Sequence, residues 1–246
     1  MNDELNYKGS AASVNVLDHG FVVLRNIGGP TRRPEAEFDG QDTDPANTAR
    51  MSFDQTDSDR TESDDLKLAG YLMRNWHNTP FEMVEIWLEM KLPIFVARQF
   101  VRHRTVSINE VSGRYVTLPA EWYIPEVVGG KAANAKQGQE DNLDEFTQEE
   151  FRNTLRKHCE DGYASYLDAL AKGVAPEHAR MLLSLNHYTH WIWKQDLHNI
   201  LNFLRLRDHG HAQIEAQIYA RAADSMLRKH LPHTMELYDK YRRQNP

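Results

Sequence analysis

A single cysteine, Cys159, stands among 246 residues, so no disulfide can form within the chain. Its neighbours Arg156, Lys157, Glu160 and Asp161 are charged, and the thiol is expected idle on a solvated helix face. No apolar run approaches the roughly 20 residues of a membrane span. The polar start Met1-Asn2-Asp3-Glu4 is unlike a secretory signal, so a cytoplasmic protein without membrane contacts is expected. Positive charge is in deficit, with 29 Lys and Arg against 36 Asp and Glu and a net charge of −7. Such a surface repels a phosphate backbone unless its cations cluster tightly, which argues against nucleic acid as a partner. Internal repeats are absent, and despite 12 histidines so is His-Glu-x-x-His. His187 and His190 lie in an alternating run, His187 to Trp193, that reads as strand; three positions apart, their rings take opposite faces, and no metal site is expected. The length suits one domain over 1–246, with variable loops near 28–65 and 129–144.

What the chain concentrates is hydrogen-bonding capacity. Arg102 to Tyr115 reads Arg-His-Arg-Thr-Val-Ser-Ile-Asn-Glu-Val-Ser-Gly-Arg-Tyr behind the apolar lead-in Leu92 to Val101. Pro93 suits a first helical position, and Ile94, Ala97 and Val101 follow at helical spacing, so the lead-in is expected as a short buried helix. Buried, unsatisfied polar groups cost about 1–3 kcal/mol each and unpaired charges more. These arginines, His103, Asn109 and Glu110 must therefore meet one another or a ligand. Guanidinium forks fit phosphate or a pyrimidine edge, and Ser112-Gly113 lets main-chain N–H groups approach an anion. A salt-bridged turn, with Glu110 neutralising an arginine, would account for the same composition.

Around this run, strands and helices alternate. Val14–Leu17 and Phe21–Leu24, parted by Asp18-His19-Gly20, signal a hairpin with His19 in its turn. Gly28 to Asp65 reads as loop with one short helix near Pro45 to Phe53. Glu62 to Asp65 supply the cap and first turn of a helix through Trp76, and Pro80 then predicts an extended loop across His77 to Glu82. Val84, Ile86, Leu88, Met90 and Leu92 alternate with Glu85, Trp87, Glu89 and Lys91, the clearest strand in the chain. Val116 to Leu118 is expected to continue extended, and Gly129 to Asp144 to form an exposed loop.

Phe146 to Lys172 reads as a long helix with Phe151, Leu155, Tyr163, Tyr166, Leu167 and Leu170 on its apolar side, stopped at Gly173, and a shorter helix starts near Pro176. Asp196 to Asp208 sets Leu197, Ile200, Leu201, Phe203 and Leu204 on one arc at about 100° per residue. Arg207 falls inside that arc. So placed it needs an acceptor, in the helix's own last carbonyls or in a ligand. Glu215 to Leu227 and Pro232 to Tyr241 add two more helices.

The pattern Arg102-His103-Arg104, Ser107, Asn109-Glu110, Ser112, Arg114-Tyr115 resembles the motif of the flavin-dependent thymidylate synthases, with every fixed position occupied. His77-x-Thr79-Pro80-Phe81-Glu82, Ala49 to Phe53, Glu177-x-Ala179-Arg180 and Asn202 to Arg207 with His211-Ala212-Gln213 resemble further segments of that family. The likeness spans Val14 to Tyr238 and is thin across 28–65 and 129–144. It implies an α+β fold of thymidylate synthase-complementing type, an antiparallel-rich central sheet flanked by helices, assembled as a homotetramer with active sites shared between subunits. The implied reaction converts dUMP to dTMP, with 5,10-methylenetetrahydrofolate as carbon donor and NADPH-reduced FAD as hydride source. The protein would supply position and electrostatics to chemistry carried by the flavin.

By the same resemblance, dUMP is bound by Gln99, Arg102, Glu110, Val111, Ser112, Gly113, Arg114, Arg180 and Arg207. FAD is bound by Ser52, Thr79, Arg102, His103, Arg104, Asn109, Glu110, Asn202 and His211, and His77 lies near the folate. Arg207 is the catalytic group, gripping the uracil edge and favouring charge on the ring nitrogen, which makes C5 more nucleophilic. No cysteine nucleophile is implied, unlike the other class of thymidylate synthase. Four positions depart from the pattern: Met83 where His is common, Ser184 where Pro often follows, and Asp196 and His198 where many members have Asn and Arg. Two other readings compete: a metal-dependent nucleotide hydrolase, revealed by a chelator, and an arginine-based RNA-binding module, revealed by steep salt dependence.

Overall fold

The computed structural model describes residues 13–30, 40–54, 59–131 and 139–243. The polar start and parts of both loop stretches lie outside the described residues. Strands β1 (Ser13–Val16) and β2 (Gly20–Gly28) pair antiparallel as the expected hairpin. Helix α1 (Asp44–Arg50) runs into a single 3-10 turn, Met51–Phe53. Helix α2 (Glu62–Arg74) is capped one residue earlier than expected: Thr61 Oγ1 accepts from the Asp64 N–H while the Asp64 carboxylate accepts from the Thr61 N–H.

The extended loop expected at Pro80 is instead a helical turn, α3 (Thr79–Glu82). Pro80 falls in its first two positions, where the missing N–H has no intrahelical partner to lose, and the Asn78 carbonyl accepts from Phe81 and Glu82. Strand β3 (Glu85–Pro93) follows the expected alternation, with Ile86, Leu88, Met90 and Leu92 fully buried. It leads without a break into α4 (Ile94–Phe100), with Pro93 as N-cap rather than first helical residue. The middle of the polar run then forms a strand that periodicity did not reveal, β4 (Val106–Glu110). After it the chain does not stay extended: the Ser112 carbonyl accepts from Tyr115 and Val116 in a turn.

Where an exposed loop was expected, β5 (Gly129–Lys131) and β6 (Gln139–Asn142) pair as an antiparallel ribbon. The remaining elements are α5 (Glu145–Ala171), α6 (Pro176–Ala179) with a 3-10 turn at Arg180–Leu182, β7 (Tyr188–Asp196), α7 (Leu197–Arg207), α8 (Ile214–His230) and α9 (Pro232–Tyr241).

The main sheet has the order β1-β2-β3-β7-β4, antiparallel throughout. Helices α7 and α8 cover one face, and α2 and α9 pack behind them. The core joins Leu88, Met90, Trp193, Phe100, Phe203 and Tyr219. The Phe203 ring lies edge-on to Phe100 at 4.9 Å and to Trp193 at 4.8 Å. On the other face Glu89 is buried beneath its partners Arg25 and His190. Helix α5 docks elsewhere, against α6 and the turn after it, where Tyr163 donates to the Leu118 carbonyl at 3.0 Å. Cys159 is not solvated: α5 turns it inward, 4% exposed, with Sγ 3.4 Å from both Ser184 Oγ and Asn186 Oδ1. No described helix is long and apolar enough to cross a membrane.

Candidate active site

After α4 the chain bends sharply into β4, with Thr105 in the left-handed region at φ 56°. Gln195 Nε2 donates to the Arg104 carbonyl at 2.7 Å and Thr105 Oγ1 donates to Asp196 at 3.2 Å, which ties the bend to the end of β7. Arg207, the last residue of α7, lies across it. Its Nε donates to His103 Nε2 at 2.9 Å and its Nη2 to the Gln99 carbonyl at 2.9 Å, one of the carbonyls left over at the end of α4. Nη1 stands 3.5 Å from Gln99 Oε1, whose amide nitrogen donates to Gln213 Oε1 at 2.6 Å. Two segments far apart in sequence therefore meet at one guanidinium.

Because His103 Nε2 accepts, its ring proton sits on Nδ1. Burial and the adjacent Arg207 charge push the His103 pKa down to about 4, so the ring is neutral near pH 7. Burial also lowers the Arg207 pKa, though a guanidinium stays charged. Every acceptor that Arg207 meets is neutral. Among the described residues Arg102, Arg104 and Arg180 form no ion pair either, and all three are exposed. Arginines left without counter-charge suit an anionic ligand such as a nucleotide or a dinucleotide cofactor.

The other half of the motif leaves the far end of β4. Val111 extends the ladder, donating to the His190 carbonyl at 2.8 Å, before the chain turns at Ser112. Gly113 is buried in that turn: a Cβ there would lie 3.0 Å from Leu118 Cδ1 and 3.5 Å from Arg180 Cδ. The missing side chain lets Leu118 pack closely on the turn, with Arg180 in ordinary contact beside it. Arg114 and Glu177 form an exposed ion pair at 3.3 Å, and Tyr115 is 80% exposed. Glu110 neutralises no arginine of the motif; it accepts a hydrogen bond from Thr189. Asn109, its neighbour on the strand, is exposed on the opposite face.

A third group of expected residues sits on packed helices. Ser52, on the 3-10 turn after α1, and Thr79, first in α3, are exposed; α1 packs on α3 and α3 on α7, which carries Asn202. Asn202 Nδ2 stands 3.3 Å from His198 Nε2. His77 is exposed beside the Tyr71 ring, and His211 is exposed in the turn after α7. Among the described residues, no hydrogen bond joins this group to the Arg207 junction or to the Gly113 turn. Gln195, Gln213 and Arg242, which tie these positions down, were not foreseen. Gln213 stands in the His211-Ala212-Gln213 segment that carries part of the family resemblance, and Gln195 falls, with Thr189, in the inward register of Trp191 and Trp193. Among the described residues no three His, Cys, Asp or Glu gather as a metal site.

Residues 36–233 match the family described as thymidylate synthase complementing protein. The flavin-dependent thymidylate synthase of Gluconobacter oxydans is 40% identical over 232 residues, covering 92% of this chain and 72% of its own. That of Thermus thermophilus is 43% identical over 220 residues, covering 89% and 76%. Among solved structures, the UMP/dUMP methylase PolB from Streptomyces cacaoi, bound with 5-Br dUMP, matches with a TM-score of 0.80 at 24% identity, over 95% of this chain and 100% of that one. That last likeness speaks to the fold alone, helices against an antiparallel sheet. Identity of this level across nearly the whole chain shows that the protein belongs to the flavin-dependent thymidylate synthase family.

Proposed function

We propose that this chain is a cytoplasmic enzyme of one domain over 1–246 that methylates dUMP to dTMP, taking the carbon from 5,10-methylenetetrahydrofolate and using NADPH-reduced FAD. The observation that carries the reading is the Arg207 guanidinium, half-buried between two motif segments with only neutral acceptors around it. Arg207 would grip the uracil edge and stabilise negative charge on the ring without giving up its own proton. That role is needed because Cys159, buried against Ser184 and Asn186, is not available to attack a pyrimidine. Bound flavin would supply the hydride chemistry.

Arg180 and the N–H groups of the Ser112-Gly113-Arg114 turn would hold the nucleotide phosphate, with Gln99, Arg102, Glu110 and Val111 completing the dUMP site. Ser52, Thr79, Arg102, His103, Arg104, Asn109, Glu110, Asn202 and His211 would hold FAD, with His77 near the folate. Neutral His103 offers that ligand an uncharged Nδ1–H donor. At about 3.4 Å per residue, Val106 and Val111 stand roughly 17 Å apart, so the two halves of the motif sit at opposite ends of β4. This favours sites completed by other copies in a homotetramer. Exposed Phe146, Phe151, Leu167, Met181, Leu182 and Leu185 supply apolar surface for such contacts.

The test is optical and chemical. The purified protein should show the visible bands of oxidised flavin, bleach on anaerobic NADPH addition and form dTMP once dUMP and methylenetetrahydrofolate are present. A colourless protein that takes up no FAD and forms no dTMP would overturn the reading.

A further inference from the structure

Behind His198, the neighbour of Asn202 on α7, lies an arginine that the reaction above does not use. Arg242, at the end of α9, is only 3% exposed. Its Nε donates to the Met73 carbonyl at 3.1 Å, and its guanidinium lies 4.5 Å from the Trp76 ring centre and 5.5 Å from that of Phe81. Trp76 reaches this place through a left-handed backbone, φ 58°, a conformation that costs a bulky residue energy. Among the described residues Arg242 has no carboxylate partner, and its Nη2 is buried without any acceptor. Burying a charge with one donor group unpaired costs stability.

Among the described residues, its one hydrogen bond to another side chain reaches His198 Nδ1 at 3.3 Å. A guanidinium can only donate, so Nδ1 must accept, and the proton of the neutral ring sits on Nε2. Burial, then the Arg242 charge, lowers the His198 pKa, against the smaller opposing pull of Asp196 and Glu82, which favours that neutral ring. His198 Nε2 faces the Asn202 amide, one helical turn along α7, at 3.3 Å. Two N–H groups cannot share a hydrogen bond, and the oxygen and nitrogen of an amide are told apart by their partners. Oδ1 of Asn202 is therefore the atom that belongs beside His198.

We propose that Arg242 and His198 are positioning residues which hold the Asn202 amide with its oxygen inward and both N–H donors turned outward, toward a ligand rich in hydrogen-bond acceptors. On the proposed function, on which this part rests, that ligand is the flavin. The relay reverses the amide's default freedom: without it, Asn202 could offer either its oxygen or its nitrogen.

Two measurements test it. Long-range proton–nitrogen NMR on the unliganded wild-type protein at pH 7 should find His198 as the Nε2–H tautomer; the Nδ1–H tautomer would overturn the relay. FAD titrations of apo wild type, Arg242→Met, Asn202→Ala and the double variant then form a cycle. Arg242→Met should weaken FAD binding about tenfold with Asn202 present, the scale of one hydrogen bond. It should weaken binding less than about twofold in the Asn202→Ala background. Equal losses in both backgrounds would mean that Arg242 acts only on general stability, against the proposal. If Arg242→Met does not fold, the tautomer in the unaltered protein still decides. If wild type takes up no FAD, the flavin reading and the ligand half of this proposal fail together, while the tautomer separately judges the relay.

Discussion

Helices α7 and α5 are both amphipathic in sequence, and they meet opposite ends. On α7 each residue of the expected apolar arc, Leu197, Ile200, Leu201, Phe203 and Leu204, is buried against the sheet and α8. On α5, Tyr166 is buried, yet Phe151 remains 47% and Leu167 41% exposed. The 27 residues of α5 make a rod about 40 Å long, and the described residues that dock on it cover only part of it. Periodicity thus states which face seeks cover and is silent on what provides it. On α7 the cover is the chain's own core, which is why Arg207 is aimed so definitely; on α5 the described residues leave part of that face open.

The harshest test of this contrast is truncation within α7. Phe203→Ala removes a ring packed on Phe100, Trp193 and His103, and should cost about 3–5 kcal/mol in denaturant unfolding. A loss below about 1 kcal/mol would mean that α7 is no better anchored than α5. Arg207→Ala comes next. It should lower dUMP-dependent turnover about 10²–10³-fold, the scale for removing one transition-state donor, while flavin absorbance is largely kept. Undiminished turnover would strip Arg207 of its role and leave α7 a purely structural helix.

Acid separates the two regions more gently. His103, against the end of α7, has its pKa lowered from 6.5 to about 4, so its folded form disfavours the proton. The stability it contributes is whole above about 6.5 and is lost as pH falls toward about 4, because the unfolded chain takes up the proton first. At the start of α5, hydrogen bonds from Thr147 to Asp144, and from Arg152 to Glu149, lower those carboxyl pKa values from 3.8 and 4.5. Their contribution is whole above those values and fades only at lower pH. His103→Asn should therefore flatten the stability profile between about 6.5 and 4 and leave the lower limb in place. An unchanged upper limb would show that His103 is not held neutral at the junction.

How much of this was legible follows the same physics. The β3 strand and α7 could be read because one clean period met one continuous core. β4 could not: Val106 and Ile108 alone face inward, Asn109 is exposed and Glu110 is engaged by Thr189, so no single pattern runs through it. The Pro80 rule describes a preference of the preceding residue, and hydrogen bonds to the Asn78 carbonyl overrode it. Cys159 was misjudged because charged neighbours describe the rest of a helix's circumference, not the direction of one residue. At the site, an arginine inside an apolar arc announced that an acceptor existed. That the acceptors are His103 and the Gln99 carbonyl is tertiary information, and Arg242 at a helix end gave no sign of being buried.

The smallest effect is expected on α5 and is the most telling about its uncovered face. Replacing Phe151 and Leu167 by Ser removes apolar surface that the chain itself leaves half open, so unfolding of a single copy should change by no more than about 0.5 kcal/mol per site. If those faces are buried between copies, the same pair should lower the assembled mass seen by light scattering and cut turnover, because sites shared between subunits come apart with the contact. Loss of single-copy stability on the α7 scale, with mass unchanged, would instead mean that α5 is covered from within, and the contrast between the two helices would dissolve.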